Sequence, residues 1–148
     1  MAVLKTTYRS GARPNTVPGQ STLTHFSAAF FTLTLLTDWA YMQSMVLMWR
    51  DFSSWLLFVG LMVGGMSVVL WLVGLAVYRV RVSWAVVALN AAVLAAAFLN
   101  SLVHAGDGWT SVVPWGIGLS IATFLLMLVS AALRRRLLYQ NYNVSGGT

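Results

Sequence analysis

Few side chains in this 148-residue chain are of types that do chemistry. They are His25, His104, Asp38, Asp51 and Asp107, and cysteine is absent. Without cysteine there is no disulfide framework, thiolate metal site, thioether-linked haem or cysteine nucleophile. The acids and histidines also lack any metal-ligand motif of diagnostic spacing. We therefore expect no catalytic constellation, no enzyme activity and no metal centre.

The two histidines raise the possibility of bis-histidine haem ligation. His25 opens the first predicted helix and His104 closes the third, and these helices are expected to run in the same direction. The two imidazoles then lie ~30 Å apart, the rise of ~20 helical residues, so one haem cannot join them. A pair of one histidine and one methionine stays open. No cofactor is the first expectation, with haem b or quinone near His25 or His104 as the alternative.

The elements that position these residues are apolar helices. Hydrophobic residues make up 59% of the chain and charged residues 8%, against about 25% charged residues in soluble domains. Four stretches approach the ~20 residues that a helix needs to cross a bilayer. We predict an all-α membrane protein, a four-helix antiparallel bundle, with a turn at Asp51, Ser53 and Ser54. The expected segments are a flexible tail (1–21), helices at about 22–49, 54–78, 83–104 and 114–133, and a basic tail (134–148).

The distribution of positive charge predicts the topology, because short loops rich in Lys and Arg stay cytoplasmic. With four spans, the tails and the second loop share one face. That face holds Lys5, Arg9, Arg13, Arg79, Arg81, Arg134, Arg135 and Arg136, and the other face holds Arg50. Both termini are therefore expected in the cytoplasm, in a multi-pass membrane protein. Because the charges flank spans, anionic lipid headgroups explain them better than nucleic acid does.

Asp38 is the most informative residue of the first predicted helix. It lies ~20 Å along that helix from His25, in the outer third of the bilayer. Carboxylates inside membranes are costly and are functional candidates by default. The expected polar network comprises Asp38, Arg50, Asn90, Asn100, His104 and Asp107. Three interpretations stay open: a structural network joining the first and third helices, proton or quinol chemistry by an Asp/His pair, and a divalent metal site.

Small residues predict where helices pack closely. Gly60 and Gly64 form a small-xxx-small pair, with Gly65 beside them, and Gly116 and Ser120 give a smooth face at the start of the fourth predicted helix. Such faces let another helix backbone approach. We favour packing inside the bundle, and a homodimer face is the alternative.

Four segments in order resemble the bacterial four-helix membrane proteins of domain-of-unknown-function family 2231. They are THFSAAFFTLTLLTD, SSWLLFVGLMVGG, ALNAAVLAAAFLN and VVPWGIGLS. The positions that match family motifs are His25, Phe26, Asp38, Asn90, Gly116, Leu119 and Ser120. Ser27 replaces a proline of the family, and the stretch from Trp84 to Leu89 lacks a histidine that many members carry. The resemblance covers roughly 24–133 and implies a four-helix membrane fold.

The resemblance also implies an electron-transfer setting, since some relatives are fused to iron-sulfur or cytochrome modules, although the family lacks an assigned function. We therefore expect a non-catalytic accessory subunit of a larger bacterial respiratory or photosynthetic complex, in the bacterial inner membrane. Its expected partners are other integral membrane proteins and bound lipids, and not nucleic acid. A membrane redox subunit that binds haem or quinone is the alternative, and a small transporter that uses Asp38 is the third possibility.

Overall fold

The computed structural model describes residues 17–78, 82–106 and 112–145. These residues form four long helices: α1 (Gln20–Ser44), α2 (Leu47–Val73), α3 (Trp84–His104) and α4 (Ile117–Ser145). A π-helical turn, Gly74–Tyr78, follows α2, and the segment Val112–Gly116, which is kinked at Val113, precedes α4. The all-α prediction is confirmed for this part of the chain. Most of the N-terminal tail, Arg79, Arg81 and Asp107 lie outside the described residues.

The turn between α1 and α2 lies at Met45 and Val46, so the expected turn at Asp51, Ser53 and Ser54 is wrong. Met45 adopts a left-handed backbone conformation (φ 53°), and its N–H donates to the carbonyl of Tyr41. Ser53 and Ser54 lie within α2, because their hydroxyls form hydrogen bonds to groups of α1 and α2. Ser54 Oγ donates to the carbonyl of Arg50, and Ser53 Oγ lies 2.7 Å from a threonine hydroxyl of α1.

Helix α4 starts later and ends later than expected. Val113 has extended backbone angles, and the regular helix begins at Ile117. Its last turns include the three arginines of the expected basic tail, 134–136, and continue to Ser145. Arg, Leu and Gln are favourable helix residues, so the end of the apolar stretch at Leu133 does not end the helix.

Within the described residues, three helices are long and apolar enough to cross a membrane: Leu47–Val77, Trp84–His104 and Val112–Leu137. Their large apolar side chains point outward, and Trp55, Trp84 and Trp115 are among the most exposed. Serine, threonine, asparagine and histidine side chains are buried instead. This reversal of the soluble pattern is expected where lipid surrounds the protein. Helix α1 is not among the three, since it carries Asp38 and many hydroxyl side chains.

Glycines allow α1 and α2 to pack closely. A Cβ built on Gly60 would lie 2.6 Å from Cε1 of Phe31, and one built on Gly64 would lie 2.9 Å from Oγ of Ser27 and 2.7 Å from Cδ2 of Leu94 in α3. Gly65 faces open space. Gly60 and Gly64 therefore lie inside the bundle, and Gly65 lies on its outer surface. Gly116 is buried before α4. The apolar core beside these contacts consists of Phe31, Leu57, Val93 and Ala97.

Candidate functional site

The candidate site is centred on two fully buried ionisable side chains from different helices. Asp38 projects from α1 and is 0% exposed, and His104 is the last residue of α3 and is 1% exposed. His104 Nε2 lies 2.9 Å from Asp38 Oδ1. The two residues are 66 positions apart in the sequence, so this contact fixes α1 against the end of α3.

The second carboxylate oxygen is engaged as well. Ser120 of α4 donates its hydroxyl to Asp38 Oδ2 at 2.5 Å, and Asn100 Nδ2 donates to Ser120 Oγ at 2.7 Å. We call Asp38, Asn100, His104 and Ser120 the Asp38 cluster. All four are at most 2% exposed. The cluster therefore links three helices through hydrogen bonds between buried polar groups. Within it, the buried Oδ1 of Asn100 has no hydrogen-bond partner among the described residues.

Both ring nitrogens of His104 have protein partners. Nδ1 lies 3.0 Å from the carbonyl oxygen of Asn100, and Nε2 faces Asp38. A ring nitrogen must be free to coordinate haem iron or another metal. His104 would have to give up one of these hydrogen bonds to become a ligand.

Arg50 lies beside the Asp38 cluster but bonds to backbone. Its Nη2 donates to the carbonyl of His104 at 3.0 Å and to the carbonyl of Gly106 at 2.9 Å. Nη1 lies 3.4 Å from Asp51 Oδ1. The guanidinium thus caps the C-terminus of α3, where free carbonyls and the helix dipole favour a positive charge.

The other residues of the expected polar network lie apart from the Asp38 cluster or outside the described residues. Asn90 accepts a hydrogen bond from Ser130 at 2.8 Å, which joins α3 to α4. It precedes Asn100 by ten residues, about 15 Å along the helix axis. His25 is exposed near the start of α1, and its Nδ1 lies 2.6 Å from the carbonyl of Ser21. Asp107 is outside the described residues.

Sequence reasoning missed the hydrogen-bonding roles of several hydroxyl groups. Ser120 was expected only on a smooth packing face, yet it bonds directly to Asp38. Thr37 and Ser53 join α1 to α2 at 2.7 Å. A signal was present, because polar side chains in an apolar helix need internal partners. Spacing along one helix does not identify the residue of another helix that supplies the partner.

Replacement of Arg50 tests the cap on α3. We expect Arg50→Met to lower the free energy of unfolding by about 1–2 kcal/mol, because charged hydrogen bonds to the carbonyls and the favourable dipole interaction are lost. Denaturant titration of the reconstituted protein measures this change. Asp51→Asn is the matched control, since Asp51 is exposed and bonds only weakly to Arg50. Equal destabilisation by both variants would contradict the capping role.

A fold of long apolar helices that turn their polar groups inward defines a helical integral membrane protein. Its particular family follows from comparison with known proteins. Residues 18–143 match the family model described as "Predicted membrane protein (DUF2231)", and the chain belongs to this family. The resemblance drawn from the four sequence segments is thereby confirmed. No curated protein and no solved structure matches the chain.

Proposed function

We propose that this protein is a non-catalytic subunit that packs among other integral membrane proteins in a larger bacterial bioenergetic complex. The observation that carries the proposal is that the acid and the histidine of the Asp38 cluster are engaged by protein groups. Asp38 and His104 bond to one another, Asp38 also accepts from Ser120, and His104 Nδ1 bonds to the carbonyl of Asn100. The polar groups thus hold helices together, and the outer surface consists of large apolar side chains suited to lipid or to neighbouring helices. The family resemblance supports the bioenergetic setting, through relatives fused to redox modules.

The proposal includes α1 as a fourth membrane span. The 25 residues of α1 extend about 37 Å, enough to cross a hydrocarbon core of about 30 Å. Hydroxyl groups along α1 bond to backbone carbonyls or to α2, as lipid surroundings require. The residues with such bonds are Thr24, Ser27, Thr32, Thr34 and Thr37.

Contacts between α1 and α2 support an antiparallel pair. Thr24 bonds to Ser67 at 2.8 Å, Ser27 donates to the carbonyl of Gly60 at 2.9 Å, and Thr37 bonds to Ser53 at 2.7 Å. As the residue number of the α1 partner increases, the residue number of its α2 partner decreases. Together with the distribution of Lys and Arg, this arrangement supports an inner-membrane topology with both termini in the cytoplasm.

Thiol labelling tests this topology directly, because the chain contains no cysteine. A single cysteine introduced by Met48→Cys, near the exposed α1–α2 turn, should react with a membrane-impermeant thiol reagent added to intact spheroplasts. A cysteine introduced by Thr148→Cys should react only after the membrane is opened. Labelling of Thr148→Cys in intact spheroplasts would contradict the proposed topology.

Purification from native membranes tests the accessory role. We expect the tagged chain, extracted in a mild detergent, to migrate in an assembly with other membrane proteins, which mass spectrometry then identifies. The same sample in a harsh detergent is the control and should release the 16.2 kDa chain. Migration only as a free monomer or homo-oligomer in the mild detergent would overturn the proposal.

Proton-coupled transport through Asp38 is a second candidate, favoured by the presence of a buried carboxyl in a membrane helix. It predicts that Asp38→Asn abolishes ion or proton movement in proteoliposomes, because asparagine cannot exchange a proton. Asp51→Asn is the matched control and should leave transport unchanged, since Asp51 is exposed. Equal transport by the wild type and Asp38→Asn would exclude this mechanism.

A further inference from the structure

We infer that Asp38 and His104 form a binding site for a single proton, held between Asp38 Oδ1 and His104 Nε2. The site stays electrically neutral as a unit. The hydrogen-bond geometry supports this inference, which does not depend on whether the protein belongs to a larger complex.

The hydrogen bond to Asn100 determines the tautomer of His104. Nδ1 lies 3.0 Å from the carbonyl oxygen of Asn100. A backbone carbonyl only accepts hydrogen bonds, so Nδ1 must carry a hydrogen. A neutral imidazole has one N–H, and Nε2 is then a bare acceptor in the neutral ring.

The contact between His104 and Asp38 requires a proton. Nε2 and Asp38 Oδ1 are 2.9 Å apart, with both side chains 0% exposed. An ionised carboxylate is also only an acceptor. Two bare acceptors at this distance repel each other, so one proton must lie between them. It belongs either to an imidazolium facing a carboxylate or to a carboxylic acid facing a neutral imidazole, and both forms leave the pair neutral.

The hydrogen bonds at the other carboxylate oxygen, Asp38 Oδ2, limit the site to one proton. Asn100 Nδ2 is only a donor, and it bonds to Ser120 Oγ at 2.7 Å. Ser120 accepts this bond and directs its own hydrogen to Asp38 Oδ2, at 2.5 Å. Oδ2 therefore acts as an acceptor in the described arrangement, and a second proton there would displace the serine hydroxyl from its bond.

The surroundings explain why neutrality matters. Beside the pair, α2 contributes Arg50, whose guanidinium bonds to the carbonyl of His104. Asn100 of α3 and Ser120 of α4 are uncharged, and Asp51 of α2 is exposed. A net charge on a fully buried pair is strongly unfavourable. Loss of the proton would leave a buried negative charge and two opposed acceptors between α1 and α3, so proton occupancy is coupled to the contact between these helices.

Spectroscopy of the full chain in lipid nanodiscs tests the site. The chain has only two histidines, so ¹⁵N-histidine labelling in a His25→Gln background reports on His104 alone. We expect a hydrogen on Nδ1. We also expect either a hydrogen on Nε2 or an infrared carboxylic acid band from Asp38, but not both.

Asp38→Asn assigns that band by its loss, and Asp51→Asn is the control that must retain it. A bare Nδ1 would overturn the inference, as would an Nε2 hydrogen together with a protonated Asp38. It would also fail if Nε2 were bare and Asp38 ionised. The nitrogen measurement on the His25→Gln protein tests the tautomer even if Asp38→Asn does not fold.

Discussion

Replacing His104 with alanine is expected to lower the free energy of unfolding by about 3–5 kcal/mol, because it leaves a buried acid without its hydrogen-bond partner and a cavity where the ring was packed. The variant leaves Asp38 Oδ1 without its partner at 2.9 Å, in a place where both side chains are fully buried. It also removes the link from α1 to the end of α3. Titration with a denaturing detergent, followed by helix content and tryptophan fluorescence, measures the loss.

The second histidine provides the matched control for this experiment. His25 is exposed, and its Nδ1 contacts are both with Ser21 of the same helix. His25→Ala should therefore change stability little. Two results would contradict a stabilising role of the Asp38–His104 contact. One is a similar loss of stability in both variants, and the other is a small loss in His104→Ala.

Long apolar segments predicted the helices because a hydrophobic run of this length has few other stable forms in a membrane. Helix ends were harder to predict. Asp51, Ser53 and Ser54 are typical of turns in water, but hydroxyl groups inside a helix pair bond to carbonyls and to each other. Those partners belong partly to another helix, and a single segment does not reveal them. Likewise, Arg134 to Arg136 end an apolar stretch without ending the helix.

For the site, the sequence places each side chain along its helix but does not tell from which side of the helix it projects. Asp38, Asn100 and His104 were expected in one polar network, and the structure brings them together. Asn90 was grouped with them by residue type, but it lies near Ser130 instead. Ser120 bonds to Asp38 across 82 residues. Such pairing depends on helix rotation and packing, which no local pattern in one sequence specifies.

The second large effect is expected at the close contact between α1 and α2. We expect Gly60→Ala to lower the free energy of unfolding by about 1–3 kcal/mol, the typical cost of overpacking a filled core. The new methyl group would lie 2.6 Å from Cε1 of Phe31 and 3.2 Å from Cβ of Phe30. Phe31 is only 2% exposed, so its ring has little room to move. Separation of the helices would also strain the bond from Ser27 Oγ to the carbonyl of Gly60, now 2.9 Å long.

Gly65→Ala separates this steric effect from helix propensity. Gly65 belongs to the same helix, but a Cβ there meets nothing within 4 Å. Alanine is favoured over glycine inside helices by about 1 kcal/mol, so this variant should be neutral or slightly stabilising. The same detergent titration compares the two proteins. If Gly60→Ala were as stable as Gly65→Ala, α1 and α2 would not be packed as closely as the contact with Phe31 requires.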